Sequence, residues 1–276
     1  MPTDRAARAR TLVSALDDRR QIPPLSDDDP LFDLAAAYEV SAAVTELRIA
    51  RGETPVGWKI GFTNRTIWDE YGVHAPIWGP VYDSTVRHVR GPAELDVSAL
   101  VEPRIEPEIM FRFAKAPQPG MSESELVTCL DGVAHGFEIV QSLFPGWRFR
   151  AADTVAAFGL HGLLAVGPLT PMPGWRMPIE WRRLLESFTV TLLRDGETID
   201  RGKAENVLGG PLSALRHLVE GFGSEAAERI KPGMIVTTGT VTRAFPVRPG
   251  ERWTTAVDGL VVAEMDLTLT GSLAFD

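Results

Sequence analysis

One cysteine, Cys129, stands among 276 residues, so no intrachain disulfide can form and no cysteine-based zinc site can be assembled. Positive charge is in short supply too: 28 Lys and Arg stand against 37 Asp and Glu, a net charge of −9. The bases are dispersed and form no patch that could track a phosphate backbone, which argues against a nucleic-acid partner. No apolar run approaches the ~18 residues of a membrane-spanning helix, and the first thirty residues carry charge where a signal peptide would be apolar. The expectation is a cytoplasmic protein without membrane contact. Also missing are Gly-x-x-x-x-Gly-Lys, a strand-anchored Gly-x-Gly-x-x-Gly and Gly-x-Ser-x-Gly, which disfavours phosphate-loop, dinucleotide-binding and α/β-hydrolase chemistry.

What is present suffices for a large core, since 44% of the residues are hydrophobic. Residues 4–20, rich in Ala and Arg, read as a helix. Asp29-Pro30 offers a cap and a first-turn proline for a longer one, with Leu34, Tyr38 and Ala42 as its buried stripe. From about Val56 the pattern changes to short β-like runs. Asp195-Gly196, between 187–193 and 198–199, is a type I′ hairpin signal. Ser122 to Glu125 begins like a capping box, and Cys129 reads as a core-facing residue of that helix. Leu212, Leu215, Leu218, Val219 and Phe222 share one helix face that ends at Gly221 and Gly223. The tail alternates over 262–269. This order, a helical region at 1–55 and then a largely antiparallel body at 56–276, reads as α+β, and no linker separates the two parts.

The strongest functional feature is Val101-Glu-Pro-Arg-Ile-Glu-Pro-Glu-Ile-Met-Phe-Arg-Phe113. If it is extended, Arg104, Glu106, Glu108 and Met110 share one face while Ile105, Ile109, Phe111 and Phe113 share the other. Two carboxylates on one face repel unless they are solvated, share a proton or hold a hard cation such as magnesium, calcium or manganese. The competing reading is a solvated edge strand, which Pro107 would suit. Glu138, in an apolar stretch at 132–140, is a third acid in need of a partner. Either a metal ion or an arginine such as Arg148 or Arg150 would serve.

Lys59, flanked by Trp58, Ile60 and Phe62, is either a desolvated site lysine or a surface lysine with a buried stem. His161 and His135 lie in apolar, glycine-flanked contexts, and either could act as a general acid or base; for His135 a hydrogen-bonded core role is at least as good. Trp78, between Pro76 and Gly79, could wall a pocket, although core packing is the simpler role.

These motifs, in order, carry a resemblance. Gly57-Trp-Lys-Ile-Gly-Phe-Thr63, Pro103-Arg-Ile-Glu-Pro-Glu-Ile109, Phe137-Glu-Ile-Val140, Trp147-Arg-Phe149 with Asp153, and Val207-Leu-Gly-Gly-Pro-Leu212 run nearly end to end. The chain resembles the 2-keto-4-pentenoate hydratase and 4-oxalocrotonate decarboxylase branch of the fumarylacetoacetate hydrolase superfamily. The resemblance implies a mixed β-roll with an N-terminal helical region, and Mg2+ or Mn2+ held by Glu106, Glu108 and Glu138. It further implies an active-site Lys59, a Thr237–Thr240 turn bordering the substrate, a small 2-oxo acid as substrate in the catabolism of aromatic-type compounds, and a homo-oligomer. The expected substrate contacts are Arg104, Gln141, Thr238, Thr240 and Trp78, and the expected catalytic residues are Lys59 and His161.

Three departures bear on the reaction. Hydratases of the family usually read Pro-Asp-aromatic-Gly where this chain has Pro76-Ile77-Trp78-Gly79, while decarboxylases often carry the Ile. A serine of the family has become His161, and an Asp has become Gln141. The expected reaction is hydration of a 2-hydroxy-2,4-dienoate to a 4-hydroxy-2-oxo acid. The alternatives are decarboxylation of a 2-oxo-3-enedioate, and acylpyruvate C–C hydrolysis with His161 as base.

Overall fold

The computed structural model describes residues 5–272 apart from Trp175. Its strands, in chain order, are β1 (Pro55–Gly61), β2 (Ile77–Tyr82), β3 (Val86–His88), β4 (Ala93–Asp96), β5 (Arg104–Phe113), β6 (Leu130–Val140), β7 (His161–Val166), β8 (Thr170–Pro171), β9 (Thr189–Arg194), β10 (Glu197–Lys203), β11 (Ile235–Thr240), β12 (Phe245–Pro246), β13 (Arg252–Asp258) and β14 (Asp266–Thr270). They form two sheets. The larger runs β2-β1-β11-β5-β6-β7-β3, with β12 beside β5 and β8 beside β6, and the smaller runs β10-β9-β13-β14-β4. Pairing is mixed: β1 runs parallel to β11, β3 to β7 and β4 to β14. The α+β reading holds, and so does the mixed sheet architecture that the resemblance implies.

Strand β5 is central, not an edge, and Pro107 sits inside it. A strand residue points its N–H and C=O to the same side. The Pro107 carbonyl accepts from the Val241 N–H at 2.9 Å, so its missing N–H faces the place where β11 shifts register between Thr237 and Thr240 and β12 takes over. The proline falls where the ladder is already broken.

The apolar face of the β5–β6 ribbon faces the second sheet. Ile105, Phe137 and Ile139 pack with Leu192, Trp253, Leu267 and Leu269. Farther along, Ile109, Phe111 and Phe113 join a cluster with Leu212, Leu215, Leu218, Val219 and Phe222 of a helix at Pro211–Phe222. That helix buries the expected stripe and ends at Gly223, with Gly221 inside it. Asp195 (φ 52) and Gly196 (φ 85) form the hairpin turn between β9 and β10, the two positive φ values that type I′ requires.

Two helix expectations shift. The helix at Leu34–Ala50 starts at Asp33, whose side chain accepts from the Ala36 N–H, and Asp29-Pro30 lies in the preceding turn. Its buried stripe is Ala37, Val40, Ser41, Val44 and Arg48, while Leu34 and Ala42 are exposed; small alanines on both sides made the apolar stripe ambiguous. The helix at Glu123–Val127 has the Ser122–Glu125 capping box, and Cys129 follows it, buried. The N-terminal helices pack through Ala9, Leu12, Ala37 and Val40 onto Val155 and Ala156. Ser26 reinforces that contact by donating its N–H and hydroxyl to buried Asp153. Among the described residues, no helix is long and apolar enough to cross a membrane.

Candidate metal centre and cavity

The antiparallel register of β5 and β6 puts Glu106 directly opposite Glu138 and Glu108 opposite Gly136. Cross-strand partners share a face, so the three acids project together. One oxygen from each lies within 4.8 Å of the others, a set that could hold a metal ion. Glu108 and Glu138 are fully buried, while Glu106 keeps some exposed surface on the cavity. One oxygen of Glu108, Oε2, accepts from the Gly239 N–H at 2.9 Å. Gly239 makes this turn at φ 95, and a Cβ there would strike the Thr63 hydroxyl. The other oxygen, Oε1, has no hydrogen-bond partner.

Glu138 divides its oxygens differently. Oε1 lies 2.7 Å from His161 Nδ1. Oε2 forms an ion pair with Lys59 Nζ at 3.1 Å but lacks hydrogen-bond geometry. Lys59 replaces the arginine partners considered for Glu138. Gly159 makes room for its stem: a Cβ there would be 2.9 Å from Lys59 Cδ.

Burial would discharge Lys59, but the charges of Glu138, Glu106 and Glu108 outweigh it and raise the ammonium pKa. Burial likewise pushes Glu106 up to about 7 and Glu108 well above the usual carboxylate range. For Glu138 burial acts the same way, yet Lys59 and His161 prevail and hold it down at about 2. One lysine for three buried acids leaves excess negative charge, and the orphaned oxygens supply ligands. An all-oxygen donor set of this kind fits a hard divalent cation.

His161 is buried behind Glu138 and does not line the cavity. Its other nitrogen, Nε2, lies 2.8 Å from Thr85 Oγ1. Burial lowers the His161 pKa, the carboxylate opposing. An ionised carboxylate can only accept, so Nδ1 carries a proton; the Thr85 hydroxyl that meets Nε2 also donates to the Tyr82 carbonyl at 2.9 Å. His135 has the core role: Nδ1 bonds the Glu108 carbonyl at 2.9 Å and Nε2 meets Thr255 Oγ1 of β13 at 3.0 Å, tying the two sheets together.

The cavity beside the acids is lined by Lys59, Arg104, Glu106, Thr240 and, around them, Phe62, Ile77, Trp147, Phe149 and Leu160. Arg104 lies over the Trp147 ring at 4.1 Å, and the Thr240 hydroxyl has no partner. Three expected substrate contacts are not brought here. Gln141 accepts from the Val101 N–H at 3.2 Å, the Thr238 hydroxyl donates to the Ile109 carbonyl at 2.8 Å, and Trp78 stacks on Tyr38 with ring centroids 4.9 Å apart. Alternation turns Trp78 away from the side on which Ile77 lines the cavity; Thr238 is separated from cavity-lining Thr240 by Gly239 at φ 95, where β11 shifts register, and Gln141 follows the end of β6. Thr85 was missed, since its only signal is its tertiary contact with a histidine 76 residues away.

No protein-family model matches the chain. It is 30% identical over 256 residues to a 4-oxalocrotonate decarboxylase of Pseudomonas sp. (strain CF600), covering 92% of this chain and 93% of that one. It is 28% identical over 262 residues to a 2-hydroxyhexa-2,4-dienoate hydratase of Comamonas testosteroni, covering 95% and 96%. Among solved structures, the 4-oxalocrotonate decarboxylase from Pseudomonas putida G7 complexed with magnesium and adipate superposes with a TM-score of 0.86 at 25% identity, over 98% of each chain.

Proposed function

Because the chain belongs to the family of 2-keto-4-pentenoate hydratases and 4-oxalocrotonate decarboxylases, we propose that it is a metal-dependent hydro-lyase that converts a 2-hydroxy-2,4-dienoate to a 4-hydroxy-2-oxo acid. The observation that carries this reading is the convergence of Glu106, Glu108 and Glu138 within 4.8 Å beside a charged, buried lysine. We assign these three acids as ligands of Mg2+ or Mn2+. The bound ion supplies Lewis-acid polarisation of the 2-oxo group and neutralises charge.

The side chains do the rest. Lys59 Nζ and the Arg104 guanidinium give an anionic substrate two cationic contacts in an otherwise apolar cavity. In the hydration, the 2-hydroxyl gives up its proton and carbon 5 gains one, forming a 2-oxo-3-enoate. Water then adds its oxygen to carbon 4 and a proton to carbon 3. Lys59, held charged by the neighbouring acids, can donate a hydrogen bond to an oxygen of substrate or water and offset negative charge that develops there, and Arg104 stays charged beside it. Thr240 holds a free hydroxyl for an oxygen of water or substrate. Trp147, Phe149 and Phe62 wall the cavity and limit bulk water.

One observation favours a second reading: Ile77 lines the cavity where an acid would help activate water. Decarboxylation of a 2-oxo-3-enedioate breaks a C–C bond, releases carbon dioxide and needs no activated water. Proton NMR of the magnesium-loaded protein with freshly generated 2-hydroxypenta-2,4-dienoate separates the two. The methine of 4-hydroxy-2-oxopentanoate is expected to appear only with metal. Its absence, together with carbon dioxide release from 2-oxo-3-hexenedioate, would replace the hydratase with the decarboxylase.

A further inference from the structure

Thr85, His161 and Glu138 form a side-chain hydrogen-bond chain beside the site, and both links are at 2.8 Å or less. Its three members come from separate places: Thr85 from the turn before β3, His161 from the start of β7 and Glu138 from β6. Glu138 and His161 have fully buried side chains, so no solvent competes for the hydrogen bond between them. The bond occupies one carboxylate oxygen and leaves the other directed at Lys59.

We propose that His161 is a positioning residue for the metal centre, and that Thr85 in turn fixes the imidazole. This rests on the metal reading given above. Donation from Nδ1 fixes the carboxylate plane and selects Oε2 as the ligand oxygen. Thr85, 2.8 Å from Nε2 and anchored by its bond to the Tyr82 carbonyl at 2.9 Å, holds the ring in its plane so that Nδ1 stays aimed at Glu138. A histidine buried off the cavity wall cannot touch substrate, so it acts through Glu138. Outer partners of ligating groups of this kind typically change metal affinity by about 10–100-fold when removed.

The test is calorimetric titration of the metal-free protein with manganese chloride. His161→Ala is expected to weaken binding about 10–100-fold, and Thr85→Val by a few fold. His161→Asn, whose amide N–H can replace Nδ1–H, should bind within a few fold of the parent. Turnover of His161→Ala should recover at saturating manganese, which loss of an acid or base would not allow. Parent-like binding by both His161→Ala and Thr85→Val, with Glu138→Gln unable to bind, would overturn the positioning role alone. Parent-like binding by Glu138→Gln would overturn the metal reading and the positioning role with it. Should His161→Ala fail to fold, loss of affinity in Thr85→Val and its retention in His161→Asn decide the matter.

Discussion

The two faces of the β5–β6 ribbon are built from the same two stretches of chain, and both bury polar groups. On the face toward the second sheet, His135 has both ring nitrogens engaged, one by a backbone carbonyl and one by Thr255. On the other face, Glu108 Oε1 has no hydrogen bond and Glu138 Oε2 has only an off-line ammonium. Burial is therefore no guide to function in this ribbon. Satisfaction is: a polar group whose bonds close within the protein holds the fold, whereas one left open at high desolvation cost points to a ligand.

The largest effect should come from removing an open group. Glu108→Gln keeps an oxygen to accept from Gly239 but removes a ligand charge and the repulsion among the acids. We expect manganese affinity to fall at least ~100-fold, while the metal-free protein melts a few degrees higher, a gain of about 1 kcal/mol. Calorimetry and metal-free thermal melts read the two changes. A variant that loses both affinity and metal-free stability would show Glu108 to be structural, like His135. Next in size is Lys59→Met, which preserves stem volume against Gly159 but removes the charge. Turnover at saturating metal is expected to fall about 100-fold, the scale of one proton-transferring or charge-stabilising group. Unchanged turnover would confine Lys59 to charge balance.

The legible part of the molecule was the part set by local period. Alternation alone assigned Glu106 and Glu108 to one face of β5 and Ile105, Ile109, Phe111 and Phe113 to the other, and the Asp195-Gly196 turn followed from its backbone preference. The position of β5 in the sheet was not legible: Pro107 suggested an edge, and only the register break of β11 explains it in a central strand. Strand pairing is non-local, so the opposition of Glu106 and Glu138 had no signal in spacing. His161 shows the same limit. Its glycine-rich, apolar surroundings marked it as unusual, but whether it faced substrate or the back of a carboxylate depended on Thr85 and Glu138 meeting across three elements. Gln141, Thr238 and Trp78 stand beside cavity residues in sequence yet turn away from the cavity, because adjacency in sequence does not say which side of the backbone serves the site.

On the satisfied face the expected effects are smaller and confined to stability. Thr255→Val removes the hydroxyl that meets His135 Nε2 and receives the Met265 N–H at 2.9 Å. Leaving a buried nitrogen and N–H unpaired should cost about 1–3 kcal/mol in denaturant unfolding, with manganese affinity unchanged. An affinity loss comparable to that of the Glu108 variant would erase the distinction between the faces.

The smallest effect tests the same rule on a carboxylate. Burial would raise Glu53, but hydrogen bonds from Arg48, Ser84 and Arg51 outweigh it and hold its pKa at about 2. A carboxyl group depressed in the folded state contributes stability that is present above its ordinary pKa of about 4.5 and is lost as pH falls toward 2. Glu53 is partly solvated, so screening limits that contribution to about 1 kcal/mol or less. Glu53→Gln should therefore be slightly less stable than the parent at pH 7 and converge with it on acidification through pH 4.5 to 2, as read from urea midpoints across that range. A difference that instead grew on acidification would mean that Glu53 takes up a proton at no cost in the folded protein. Its ion pair with Arg48, which also lies 3.9 Å over the Tyr82 ring, would then be held by packing, and charge satisfaction would not be what separates the two kinds of buried acid.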